Sequence, residues 1–249
     1  SQCREKVYDL LPPDPLSNPI FDRVRERIGY LQHHGTMPLR LVNVASPLVT
    51  ASMIWDYTDF MMSLLTSPKE VHHLMEMITK ATIDYVNLQL DLITDLHSMG
   101  HEVLCVPREV GLRVSDDTAA LLSPDLYREF GVYYNGKLAE AFGGVVVHSC
   151  GDCSRIVPAM LETPLLKGLD LTMPQNSDWS ALESAAGEVV LSLRHYFWDH
   201  GDQPVDPVEY TSKLIKSFGT TGIFIVTSVP DAGQAAALGQ ELWTLLGEV

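Results

Sequence analysis

The stretch Gly143-Gly144-Val145-Val146-Val147-His148-Ser149-Cys150-Gly151-Asp152-Cys153 decides the fold class and marks the candidate site. Its apolar half has the length and β-branched composition of a buried strand. Residues two apart on a strand share a face, so His148 and Cys150 point the same way at the carboxyl end of that strand. Cys153 follows where the chain turns. One imidazole and one or two thiolates there predict a soft-metal site of His148, Cys150 and Cys153, with zinc as the first candidate.

Two other interpretations of these cysteines stay open. Free cysteine is often buried as a small apolar residue, so Cys150 and Cys153 also fit a packed strand end. The spacing Cys150-Gly-Asp-Cys153 is also that of a redox pair, in which one thiol has a lowered pKa.

Short β-rich runs alternate with capped helices along the chain. Several runs are apolar on both faces, as strands of a buried parallel sheet are. The predicted strands are residues 39–45, 102–106, 144–148, 167–171, 188–193 and 222–227, with 111–114 as a further piece. The predicted helices begin near Asn18, Ser67, Ser123, Asn176 and Asp206, and each ends at a glycine. This alternation predicts βα units in a parallel sheet.

The strand count favours an incomplete α/β barrel. A closed (β/α)8 TIM barrel needs eight strands, and the first clear strand here follows a helix. We therefore predict a TIM-barrel-like fold lacking the first one or two strands. A doubly wound sheet is the alternative, but the Gly-x-Gly-x-x-Gly turn of nucleotide-binding members is absent. No linker divides the chain, so we expect a single domain over 1–249, with 1–37 as a helical lead-in.

Composition limits the partners. Of 249 residues, 32 are acidic and 17 basic, for a net charge of −15. Nucleic acid is therefore not an expected partner, because its phosphates require a basic surface. The acidic surface of this chain suits an enzyme with a small-molecule substrate or a basic protein partner. No apolar run is long enough to span a membrane, no signal peptide is recognisable, and the four cysteines are few, so we expect a cytoplasmic protein.

Several stretches together resemble one family. They are the turn Ala45-Ser46-Pro47-Leu48-Val49-Thr50, the helix start over 65–74, the segment 115–130 and the motif His148-x-Cys150-Gly151-Asp152. Over residues 38 to 247 the chain resembles the uroporphyrinogen decarboxylase superfamily, closest to its cobalamin-dependent (methylcobamide) methyltransferase branch. The arginine-rich motif of the decarboxylases themselves is missing. The resemblance implies a (β/α)8 barrel of roughly 340 residues, longer than this chain.

The resemblance also implies a ligand set. The methyltransferase branch binds zinc through His-x-Cys and a further cysteine at the end of the last strand. This chain has Thr227 or Ser228 at that place. Candidates for the third ligand are therefore Cys153, His195 and Glu109.

Other residues near predicted strand ends are candidates for substrate contacts. Asp116 and Asp117 are predicted catalytic or polar substrate-binding groups, although neighbours on a strand cannot both face one pocket. Arg194 is a predicted catalytic group that binds a carboxylate or phosphate, with a surface ion pair as the alternative. The remaining predicted substrate-binding residues are Ser46, Thr50, Glu109, His195 and Tyr196.

The function implied by the resemblance is zinc-dependent methyl transfer between a corrinoid protein, which carries cobalamin, and a small thiol or other small molecule. One alternative is metal-independent decarboxylation of a polycarboxylated, porphyrinogen-like substrate. Another is a degenerate, non-catalytic binding subunit. An uncovered sheet edge also allows pairing with a second copy as a homo-oligomer.

Overall fold

The core of the protein is a parallel sheet. The computed structural model describes residues 6–100, 104–172, 178–195, 206–227 and 231–245. The strands are β1 (Leu39–Arg40), β2 (Leu96–Ser98), β3 (Leu112–Ser115), β4 (Val145–Ser149), β5 (Leu166–Leu171), β6 (Val190–His195) and β7 (Ile223–Thr227). All pair in parallel with their neighbours.

The strands follow one another in chain order around an open barrel. Strands β3 to β7 form one continuous sheet, and β1 and β2 form a separate pair. The pair joins the larger sheet where the amide of Arg113 donates to the carbonyl of Met99 and where Ala45 bridges Ser115. Among the described residues no ladder connects β7 to β1, so the sheet is not closed. The predicted TIM-barrel-like fold is confirmed in this open form.

Helices cover the outside of the sheet. They are α1 (Pro19–His34), α2 (Pro47–Ile54), α3 (Tyr57–Thr66), α4 (Pro68–Leu92), α5 (Pro124–Tyr127), α6 (Tyr133–Phe142), α7 (Val157–Met160), α8 (Trp179–Glu183), α9 (Pro207–Phe218) and α10 (Ala232–Leu245). A π-helical turn, Arg128–Val132, joins α5 to α6. Four helices, α1, α2, α5 and α9, begin with a proline that follows a polar N-cap residue. Proline favours the helical φ at this position, and the backbone amide that it lacks would have no partner within the helix. Within the described residues, no helix has the length and apolarity needed to cross a bilayer.

Alternation along the strands separates an apolar outer face from a polar interior. Val145 and Val147 of β4 are buried against the helices, while His148 faces the interior. In register with His148 stand Ser115 on β3 and Asp170 on β5. The carboxyl ends of the strands therefore bring polar side chains into one layer of the barrel.

The sequence analysis misplaced one strand and one helix end. The second strand lies at Leu96–Ser98 rather than 102–106, and 101–103 lie outside the described residues. Helix α4 ends at Leu92 instead of near Gly100, because the following segment leaves the helix to pair with β1. The apolar run before Gly100 therefore contains a helix end and a strand, which helical periodicity alone did not separate.

Gly111 is expected to be intolerant of a side chain. Its φ is +108°, and a Cβ there would lie 2.1 Å from the carbonyl oxygen of Gly144 at the start of β4. We predict that Gly111→Ala lowers the free energy of unfolding by at least about 2 kcal/mol, measured by urea denaturation. Gly29→Ala is the control, because Gly29 lies inside α1 with open space around it. It should be neutral or raise stability by up to about 1 kcal/mol. Equal effects of both changes would contradict the strained turn.

Candidate metal centre

Three potential ligands converge at the carboxyl end of β4. One ligand atom from each of Asp117, His148 and Cys150 lies within 4.8 Å of the others. Nε2 of His148 is 3.3 Å from Sγ of Cys150 and 3.9 Å from Oδ1 of Asp117. His148 is buried, whereas Asp117 and Cys150 are exposed. The cluster therefore has a protein-facing side and a side open to solvent.

Alternation and a loop contact place these side chains. The side chains of His148 and Cys150 meet at the carboxyl end of β4, as expected for residues two apart at a strand end. Asp117 begins the 3-10 turn Asp117–Leu121 that follows β3, and its Oδ1 accepts from the backbone amide of Cys150 at 2.8 Å. The hydroxyl of Thr172 lies 3.6 Å from Sγ of Cys150. The hydrogen bond between Asp117 and Cys150 ties the loop after β3 to the carboxyl end of β4.

The inner side of His148 contacts Asp170. Its Nδ1 is 2.9 Å from the backbone oxygen of Asp170 and 3.2 Å from carboxylate Oδ2 of the same residue. Burial by itself lowers the pKa of His148, but its hydrogen bonds with Asp170 and Cys150 raise it, and the result is a pKa of about 9. A metal at Nε2 would therefore have to displace a proton.

Asp170 is the anion of a buried charge cluster. Nε of Arg113 donates to its Oδ2 at 2.8 Å, and Nε of Arg194 donates to its Oδ1 at 2.9 Å. The hydroxyl of Ser192 donates to Oδ1 at 2.8 Å. Burial opposes ionisation of Asp170, but the hydrogen bonds from His148 and Arg194 and the charge of Arg113 hold its pKa well below the usual range. This carboxylate stays ionised beneath the candidate centre.

Arg194 is buried, and its guanidinium is paired with the buried carboxylate of Asp170. The surface partners considered for it, Asp199 and Asp202, lie outside the described residues. The interior of a barrel has a low effective dielectric constant, so an arginine there needs a nearby anion, and Asp170 meets that need.

Cys153 lies apart from the cluster of Asp117, His148 and Cys150. The chain turns at Gly151 and returns Cys153 to the buried outer face of the sheet, where its thiol interacts with Ser149. Burial raises the pKa of Cys153 to about 12, so this thiol has little tendency to form a thiolate. Among the described residues, the cluster of potential ligands contains Asp117 beside His148 and Cys150, and the predicted ligand Cys153 is not part of it.

Asp116 also faces away from the cluster. It is fully buried and accepts hydrogen bonds from Ser46 at 2.7 Å, Tyr127 at 3.1 Å and Asn135 at 2.9 Å. Burial raises the pKa of Asp116, and these hydrogen bonds offset part of that shift. Both Asp116 and Ser46, predicted as site residues, therefore join helices to the sheet. Of the two neighbouring aspartates, Asp117 lies in the cluster and Asp116 lies outside it.

The other predicted substrate-binding residues are dispersed. Glu109 is exposed in the turn before β3, at the amino end of the strands and opposite His148. Thr50 lines a cavity of about 440 Å³ between α2, α4 and residues 10–13. The backbone of His195 ends β6 in register with Thr227, and Tyr196 and Ser228 lie outside the described residues.

Asp170 was not singled out from the sequence. The signal that was available is an aspartate flanked by two leucines near the end of the strand Leu166–Leu171, because a charge in a buried strand requires partners. The identity of those partners depends on strand register, which the sequence does not give.

The family follows from comparison with known proteins. The model of the family described as uroporphyrinogen decarboxylase (URO-D) matches residues 2–190, more than half of the chain. The chain belongs to the uroporphyrinogen decarboxylase family. The resemblance read from His148-x-Cys150-Gly151-Asp152 and its neighbouring stretches is therefore confirmed. No curated protein sequence matches this family member.

A solved structure shares the fold of this URO-D family chain. It is a methyltransferase from Methanosarcina mazei, with a TM-score of 0.65 and 18% sequence identity. The match covers 94% of this chain and 67% of that one. At this identity the likeness concerns the fold, and the chemistry has to be argued from the site.

Proposed function

We propose that this URO-D family protein is a zinc-dependent methyltransferase whose metal ligands are Asp117, His148 and Cys150. The observation that carries the proposal is the convergence of these three side chains at the carboxyl end of parallel strands. Carboxylate, imidazole and thiolate are all zinc ligands, and barrel enzymes place their sites at this end. A catalytic zinc has three protein ligands and one open position, and the exposed side of the cluster leaves room for a substrate atom.

The proposed chemistry is methyl transfer to a small thiol. When bound, zinc would supply the positive charge that lowers the pKa of a substrate thiol. In the transfer, the substrate thiol would release its proton to solvent, its sulfur would form the new bond to carbon, and the cobalt–carbon bond of the methyl donor would break with both electrons remaining on cobalt. Asp117 and Cys150 hold the solvent-facing side, and Thr172 lies beside the Cys150 sulfur.

A separate corrinoid protein is the proposed methyl carrier. The candidate ligands lie at the barrel rim with Asp117 half exposed, which suits a reaction partner that approaches from outside. Another small methyl donor or acceptor would use the same open position.

Self-association through the uncovered sheet edge is a further proposal, to be tested by light scattering.

Metal-independent decarboxylation has less support. A polycarboxylated substrate needs several cations, but Arg113 and Arg194 are both engaged with Asp170. Arg108 lies in the turn before β3, at the other end of the strands. Asp116, one of the two aspartates predicted as catalytic, is buried among three donors.

The proposed function is tested with methylcobalamin as a stand-in for the corrinoid protein and a panel of small thiols. We expect thioether formation that requires zinc, stops on chelation and falls at least about 100-fold in Cys150→Ser. Cys105→Ser is the matched control, since Cys105 is an exposed thiol outside the metal cluster, and it should retain activity. Thiol methylation that survives complete chelation, or metal-free release of CO2 from a porphyrinogen, would contradict the proposal. No turnover together with no zinc binding would favour the non-catalytic alternative.

A further inference from the structure

Asp170 contacts the candidate metal ligand His148 through two different acceptors. Its backbone oxygen is 2.9 Å and its carboxylate Oδ2 3.2 Å from Nδ1 of the imidazole. A carbonyl oxygen can only accept, so Nδ1 has to carry the proton. In the neutral ring, Nε2 is then the nitrogen with the free lone pair, and Nε2 is the atom directed at Cys150 and Asp117.

We infer that Asp170 is a positioning residue for the metal centre: it fixes the tautomer and orientation of His148 so that Nε2 is directed to the metal. The inference rests on the proposed metal-dependent function. The backbone oxygen fixes the tautomer, and the negative charge on the carboxylate makes the imidazole a stronger donor. Histidine ligands commonly have such a carboxylate or carbonyl on their second nitrogen.

The surroundings of Asp170 hold its carboxylate in one orientation. Arg113 reaches it from β3, and Arg194 and Ser192 reach it from β6, so both carboxylate oxygens are occupied by donors on two different strands. Asp170 itself is fully buried. A carboxylate bonded from both sides cannot rotate away from His148, which is what a fixed ligand orientation requires.

The variants that test Asp170 have to preserve the charge balance of the buried cluster. Arg113 and Arg194 contribute two positive charges against the single negative charge of Asp170. Asp170→Asn alone would remove the carboxylate that both buried guanidinium groups contact, which threatens folding. The pair Asp170→Asn with Arg194→Gln keeps the net charge of these three positions at +1, and Arg194→Gln alone is its matched reference.

Zinc affinity, measured by competition with a chelating dye, is the first readout. We expect Arg194→Gln to bind zinc and the double variant to bind it at least about tenfold more weakly, at unchanged circular dichroism. Equal zinc affinity in the two variants would overturn the inference while leaving the proposed function intact. Failure of the wild-type protein to bind zinc would overturn both.

A second readout needs no variant and so does not depend on folding of the double mutant. In zinc-loaded wild-type protein, nitrogen-15 NMR of His148, assigned by comparison with His148→Ala, should show the proton on Nδ1 and no proton on Nε2. A proton on Nε2, with Nδ1 unprotonated, would overturn the positioning role.

Discussion

Replacing Asp116 by alanine is expected to lower the free energy of unfolding by about 3–5 kcal/mol. The change removes the common acceptor of the Ser46 hydroxyl, the Tyr127 hydroxyl and the Asn135 amide. These donors lie at the start of α2, in α5 and in α6, so one carboxylate joins three helical segments to the end of β3. A buried donor that loses its partner costs about 1–3 kcal/mol.

Asp117→Ala in metal-free protein is the matched control for Asp116→Ala. Asp117 is the next residue, but its side chain is half exposed, and its loss should change stability by less than about 1 kcal/mol. Urea or thermal denaturation measures both variants. Similar stability of the two variants would show that Asp116 does not hold the helices to the sheet.

Replacing His148 by alanine is expected to weaken zinc binding at least about 100-fold. The change removes the buried ligand, and the two remaining candidates, Asp117 and Cys150, are both exposed. It also removes the imidazole donor to Asp170, although the donors from Arg113 and Arg194 remain. Competition with a chelating dye measures the affinity.

His33→Ala is the control for this measurement. His33 is an exposed histidine of α1, outside the candidate centre, and its loss should leave zinc affinity unchanged. A large loss of zinc in His33→Ala, or none in His148→Ala, would place the metal elsewhere.

Local sequence patterns were sufficient to predict the βα series and the proximity of His148 and Cys150. The apolar, β-branched run from Gly143 to Val147 indicates a buried strand without reference to distant residues. The alternation of side chains along a strand then predicts that His148 and Cys150 share one face. Pairs of a polar residue and a proline, such as Asn18-Pro19 and Asp206-Pro207, mark helix starts because both residues act within the first helical turn. These features depend on neighbours in the chain.

Features that depend on distant contacts were missed. Asp117 rather than Cys153 lies beside His148 and Cys150, because the chain turns at Gly151 and returns Cys153 to the core while the loop after β3 approaches Cys150. The contacts of Asp170 with His148 and Arg194 follow from the register of β4, β5 and β6. No local pattern encodes the pairing of strands twenty or more residues apart, so these partners required the structure.

Cobalt(II) substitution tests the central claim most directly. A thiolate ligand gives cobalt(II) an intense sulfur-to-metal charge-transfer absorption, so the spectrum reports which cysteine binds the metal. We predict this absorption in the wild-type protein and in Cys153→Ala, and its loss in Cys150→Ser. A wild-type protein without the absorption, or an absorption that survives Cys150→Ser and disappears in Cys153→Ala, would contradict a metal centre of Asp117, His148 and Cys150.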